Sequence, residues 1–109
     1  MPTFQEFLTF DIRAGTVRSA RPHPSARKPA LQLEIDFGPL GIKWSSAQLT
    51  LRYDPDRLVG RQVVAVCNFP PRRIGDFTSE VLVLGALPAE GDVVLLGPDA
   101  PVPDGARIA

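Results

Sequence analysis

The sequence is poor in the residues that most catalytic and metal-binding sites require. It has one histidine, His23, and one cysteine, Cys67, in 109 residues. A lone cysteine cannot staple the fold internally, and no Cys/His spacing fits zinc. Cys67 lies inside the apolar run VVAVCNF and reads as a buried, inert thiol in a reducing compartment. His23 sits in a proline-rich loop with no nucleophile beside it and reads as a solvated loop residue. Carboxylates are scattered, and no glycine-rich phosphate loop is present. These absences argue against an enzyme and against a cofactor. No apolar run approaches the roughly 18 residues of a membrane span, and Met-Pro-Thr-Phe-Gln-Glu does not read as a signal peptide. The expectation is a cytoplasmic protein that inserts in no membrane.

Net charge is lacking too, but only as a sum. From Arg13 to Arg73 there are eleven Lys or Arg against four acids, and from Ile74 onward six acids against one Arg. That segregation points to an anionic partner or to self-complementary assembly. Ten of the twelve cations are Arg, which suits bidentate recognition of carboxylate or phosphate. Codon usage in a GC-rich genome would give the same bias. A hydrophobic share of 44% describes a folded chain, and its length describes one domain, residues 1–109. A chain this short buries only about two thirds of its unfolded surface, so dimerisation would help it.

Most of the chain carries strand signals. Thr3 and Glu6 form a capping box for a short helix whose apolar stripe, Phe4, Phe7 and Leu8, must dock on the body or on another subunit. Ile12 to Ala20 alternates loosely, with a bend or bulge expected at Gly15. ALQLEIDFG alternates cleanly: Leu31, Leu33, Ile35 and Phe37 share a core face, and Gln32, Glu34 and Asp36 a wet one. GIKWSSA begins a third strand, with Ile42 and Trp44 on one face and Lys43 and Ser45 on the other. In LRYDPDRLVG, Asp54 is a candidate N-cap and Pro55 a candidate first helical residue. RQVVAVCNF should be the most buried strand, SEVLVLG another such strand and GDVVLLGP a third. Many short strands with Gly and Pro turns and one small central helix predict an all-β, five-stranded OB-fold barrel with short N-terminal and inter-strand helices.

Two segments could bind a ligand. The loop after the first strand carries Arg18, Arg21, Arg27 and Lys28, which would track a phosphate backbone or simply stay solvated. Trp44 could stack on a ligand or pack in the core. The stretch NFPPRRI is more specific. Pro70-Pro71 ends the preceding ladder and fixes Arg72 and Arg73 on a stiff rim beside Phe69, Ile74 and Phe77. Such a rim suits an extended peptide or a nucleic acid. Alternatively the arginines pair with Asp76 or Glu80 and only stabilise a turn.

The motifs DIRAGTV, ARKPALQLEIDFG, GIKWSSAQLT, NFPPRRI, SEVLVLG and GDVVLLGPDAPVPDG, in this order, resemble the CsaA family. Its members are export-associated bacterial chaperones built on the tRNA-binding-domain type of OB-fold. The likeness runs from about Phe7 to Ile108, and NFPPRRI with SEVLVLG is its specific part. It implies a homodimer, binding of unfolded or precursor proteins without ATP, and association with SecA. Two positions depart from the pattern. Glu80-Val81 follows Ser79 where tRNA-binding relatives carry Gly-Met, which should weaken phosphate binding, and Trp44 stands where Gln is expected.

The resemblance and the strand ends imply a peptide-binding set. Lys43 and Arg72 would hold client carboxylates or carbonyls, Asn68 and Ser79 would bond the peptide backbone, and Phe69, Phe77 and Trp44 would take apolar side chains. Ser45 and Glu80 complete the lining. The alternative is a structured-RNA (tRNA) binder using Arg18, Arg21, Arg27, Lys28, Arg72 and Arg73 against the backbone. A third reading is a docking partner of SecA with no affinity for unfolded chains.

Overall fold

The computed structural model describes residues 1–24 and 27–109, so Ser25 and Ala26 of the proline-rich loop lie outside the described residues. Strands β1 (Ile12–Pro22), β2 (Leu31–Asp36), β3 (Ile42–Ala47), β4 (Gln62–Val66) and β7 (Leu82–Val83) form one antiparallel sheet in the order β3-β2-β1-β4-β7. Two hairpins complete the strands: β5 (Arg72–Ile74) with β6 (Phe77–Ser79), and β8 (Gly85–Ala89) with β9 (Asp92–Leu95). The free edge of β3 meets the chain entering β7. Glu80 N–H donates to the Trp44 carbonyl at 2.8 Å, and Ser46 N–H donates to Ser79 Oγ at 3.0 Å. These bonds nearly close the sheet into the expected OB-fold barrel.

The alternation of β2 sets the core. Leu31, Leu33, Ile35 and Phe37 are all buried, each such side chain contributing about 1.5–3 kcal/mol by leaving water. They pack against Val17, Val63, Ala65, Val81 and Leu95. α2 (Pro55–Leu58) forms as its sequence predicts, Asp54 accepting from Asp56 N–H, and it plugs the barrel with the fully buried Leu58. β4 is buried on both faces from Val63 to Val66, as its unbroken apolar run requires.

Three expectations about the strands are corrected. The irregularity in β1 falls between Val17 and Ser19, not at Gly15. Gly15 instead lets Phe37 lie flat on the strand, since a Cβ there would sit 2.7 Å from the ring's Cδ1. The outer face of β2 is only partly wet: Gln32 is buried, its Oε1 accepting from Arg21 Nε at 2.8 Å. SEVLVLG is no single buried strand. It divides into β7 and the start of β8, and Leu82 is 49% exposed. Val81 stays in the core, whereas Leu82 faces a surface hollow.

The C-terminal segment returns to β1. Ala14 N–H donates to the Ala106 carbonyl at 2.9 Å and Gly105 N–H to the Ala14 carbonyl at 2.8 Å. Gly105 has φ 89°, and a Cβ would come 2.5 Å from the Phe37 carbonyl oxygen, so only glycine fits this closure. At the other end the capping box of α1 (Phe4–Phe7) is complete, but the helix buries none of its residues. Phe4 is 70% exposed, so the stripe is not docked on the body of this chain.

Candidate ligand groove at the barrel rim

The rim begins where β4 ends. Asn68 Oδ1 accepts from Asp11 N–H at 2.9 Å, and its Nδ2 donates to the Thr9 carbonyl at 2.8 Å. Asn68 is thus committed to holding the N-terminal segment, which accounts for it without a bound peptide. Phe69 follows, meeting Phe10 edge to face at 5.9 Å between centroids. Pro70-Pro71 then breaks the ladder, and the chain re-forms pairing as the β5–β6 hairpin.

Adjacent residues on β5 point to opposite faces, so the two arginines part company. Arg73 folds back on its own hairpin, Nε donating to the Gly75 carbonyl at 3.0 Å and Nη1 to Thr78 Oγ1 at 3.1 Å. Arg72 has no side-chain hydrogen bond or ion pair among the described residues. It stands where three hollows meet. One, of about 330 Å³, adds Arg27, Lys28, Ala30, Ser46, Gln48 and Ile74. A second, of about 230 Å³, is walled by Phe69, Pro70, Ile74, Ser79 and Val81, with Glu80 and Leu82. The third, of about 370 Å³, is mainly aliphatic: Leu49, Leu82, Val83, Leu87 and Val93. All three share Ser46 and Arg72, forming one groove with a basic end and an apolar end.

Arg73 shares its face of the hairpin with Thr78, and the register puts Phe77 on the opposite face with Arg72, Ile74 and Ser79. Phe77 wedges between His23, 5.1 Å away between centroids, and Trp44, 5.9 Å away and edge-on. Arg21 lies over the Trp44 ring at 5.5 Å. Glu80 Oε1 accepts from Trp44 N–H at 3.1 Å, so this acid serves the barrel closure. His23 corrects its sequence reading. It is 5% exposed, its Nδ1 bonded to Ser46 Oγ at 2.9 Å, and its Nε2 is buried without a partner among the described residues. The aromatic wedge of Phe77, distant in sequence, shields it from solvent.

Several expected site residues therefore separate. Phe69, Arg72, Ser79 and Glu80 come together in the groove. Trp44 and Phe77 share the neighbouring hollow with Arg21 and Arg73. Ser45 is 1% exposed and faces the core opposite Leu33, so it is unavailable to a ligand. Lys43, opposite Ile35, lines none of these hollows. Arg27 and Lys28 join Arg72, whereas Arg18 sits on the exposed bulge of β1. The reading missed Ser46, Gln48 and Leu87. Pairing GIKWSSA against ALQLEIDFG would have found Ser46, because the inward Leu33 forces Ser45 inward and Ser46 outward.

Burial pushes the Cys67 thiol up to about 11, and Asp11 adds to the shift, while Arg13 and Lys43 oppose it. On β9 an ion pair links Arg52 Nη2 to Asp92 Oδ2 at 2.7 Å; its hydrogen bond raises the pKa of Arg52 and lowers that of Asp92. Among the described residues no group of three His, Cys, Asp or Glu is placed to hold a metal, and no helix is long and apolar enough to cross a membrane.

Residues 12–107 match the profile of the family described as "Putative tRNA binding domain". A crystal structure of chaperone CsaA from Bacillus anthracis superposes with a TM-score of 0.96 at 57% identity, covering 100% of this chain and 99% of that one. The chain belongs to the CsaA family, within the tRNA-binding-domain family. A CsaA chaperone structure from Picrophilus torridus is similar over 100% of both chains, with a TM-score of 0.92 and 44% identity. A methionine–tRNA ligase of Porphyromonas gingivalis is 37% identical over 105 residues, which are 96% of this chain but 15% of that enzyme. The likeness to that ligase is thus to one small segment of it.

Proposed function

We propose that the protein is an ATP-independent holding chaperone for unfolded or precursor proteins, working in the cytoplasm alongside SecA in Sec-dependent export. The observation that carries this reading is the groove meeting at Arg72, with an aliphatic end, a basic end and a stiff Pro-Pro border. An extended segment of unfolded chain presents both apolar and polar side chains, and such a groove receives both. The similarity to structures named as CsaA chaperones supports it. We further propose a homodimer. The apolar stripe of α1, with Phe10 and Phe69, is an exposed surface of the kind that a second copy covers.

The family match and the ligase segment favour a second reading, tRNA binding. Arg18, Arg27, Lys28 and Arg72, none of them in an ion pair among the described residues, would contact the backbone. Titration of a labelled unfolded precursor and of tRNA, each at low and physiological salt, separates the two. Precursor binding that survives physiological salt and weakens in Arg72→Ala/Arg73→Ala is expected. Tight tRNA binding that collapses with salt, without precursor binding, would sink the chaperone reading.

A further inference from the structure

We infer that the groove selects extended segments in which an acidic side chain stands next to bulky aliphatic ones. This rests on the holding role proposed above and adds a sequence preference to it. The basis is how the arginines and lysines are used. Arg13, Arg52 and Arg73 are bonded to carboxylate or hairpin oxygens, Arg21 to Gln32, and Arg61 lies over Tyr53 at 5.3 Å. Arg27, Lys28 and Arg72 have no such partner among the described residues, yet they line one hollow.

That hollow contains no aspartate or glutamate, and Ser46 and Gln48 add polar side chains to its wall. Three unneutralised cations crowded together repel one another, and an incoming carboxylate relieves the repulsion. Directly across Arg72 the lining changes to Leu82, Val83, Leu87 and Val93. An extended chain advances about 3.3 Å per residue and alternates its side chains, so one short segment reaches both hollows. An acid therefore enters beside Arg72 while a Leu-sized neighbour about two residues away fills the aliphatic end.

The same geometry disfavours a single-stranded RNA in the groove. Sequence-tolerant RNA binding needs aromatic faces for the bases. The groove's ring, Phe69, is already met by Phe10, and Trp44 lies in the neighbouring hollow beneath Arg21.

The test uses fluorescence anisotropy with the purified full chain and labelled ten-residue peptides. A parent peptide carries Leu-Ser-Glu-Ser-Leu in a Gly/Ser background, and its variants replace Glu by Gln, Glu by Lys, or both Leu by Ser. The Glu→Gln change should weaken binding about fivefold at low salt, and Glu→Lys should weaken it further. Arg72→Ala and Arg27→Ala/Lys28→Ala should erase the Glu-over-Gln preference. Arg57→Ala, which removes a cation outside the groove, should leave it intact. Equal binding of the Glu and Gln peptides, or tighter binding of the Lys peptide, overturns the inference. If the Leu→Ser peptide still binds more weakly in that case, the groove reading stands. No binding of any peptide, together with no binding of an unfolded precursor, overturns both. A ten-nucleotide RNA that binds and is lost in the same variants, while peptides show no charge preference, makes the hollow a phosphate site and also overturns the inference.

Discussion

The two hollows flanking the β5–β6 hairpin are lined by similar residues and end in opposite states. On one side Arg21, Arg73, Trp44 and Phe77 are tied to each other and to their own backbone. On the other, Arg72, Arg27 and Lys28 surround a hollow and bind nothing of their own among the described residues. Arginine content alone does not distinguish them. What distinguishes them is whether the folded chain already satisfies the guanidinium. A satisfied cation adds to stability and has little left for a ligand. An unsatisfied one adds little to stability and keeps its hydrogen-bonding capacity for a partner.

The sharpest way to break this contrast is to remove the wedge that closes the closed side. Phe77→Ala deletes a half-buried ring and both of its ring contacts, a loss of about 2–3 kcal/mol, below the value for a fully buried Phe. Thermal unfolding should show Tm lower by about 10 °C. A drop of about 2 °C or less would mean that the aromatic contacts are incidental, and the two sides would then differ less than their geometry suggests.

A smaller effect comes from exchanging the two neighbouring arginines for alanine one at a time. Arg73→Ala gives up two hydrogen bonds on an exposed hairpin and should cost about 0.5–1 kcal/mol of stability. Arg72→Ala should change stability by less than about 0.5 kcal/mol. In client binding the order should reverse, with Arg72→Ala weakening affinity about fivefold and Arg73→Ala hardly at all. Measuring Tm and client affinity on the same two proteins decides it. If both variants shift both quantities alike, the division into structural and available cations fails.

The barrel was readable because its cause is periodic. The alternation of Leu31, Leu33, Ile35 and Phe37, the apolar run of β4 and the Asp54-Pro55 helix start each follow from residues that are close in sequence. The rim was readable only in outline. Pro70-Pro71 announced a stiff corner, but the fates of Arg72 and Arg73 depend on strand parity and on what the hairpin offers each of them. His23 was misplaced because Phe77 and Ser46, which enclose it, come from two other strands. Asn68 looked like a free amide at a strand end. Its partners, Thr9 and Asp11, lie 57 to 59 residues earlier, between the N-terminal helix and β1. Contacts between distant segments carry no local pattern, and His23 and Asn68 are placed by such contacts.

Cys67 marks the boundary between the closed core and the open rim, and it gives the mildest test. Its N–H donates to the Asp11 carbonyl at 2.7 Å and its Sγ lies 3.6 Å from the Ala65 carbonyl oxygen. Burial raises the thiol to about 11, so the folded state favours the protonated form. The sign follows directly. The contribution to stability is fully present below the unfolded thiol value of about 8.5 and is lost as pH rises from there towards the folded value. Cys67→Ala should flatten that alkaline decline while leaving the pH dependence of stability near pH 7 unchanged. In the native protein, alkylation by iodoacetamide at pH 8 should run at least about tenfold slower than on a free thiol, because far less thiolate is present. It should accelerate steadily on raising the pH. Labelling at the free-thiol rate at pH 8 would mean that the end of β4 opens in solution, and the groove would then reach into the barrel instead of stopping at Asn68.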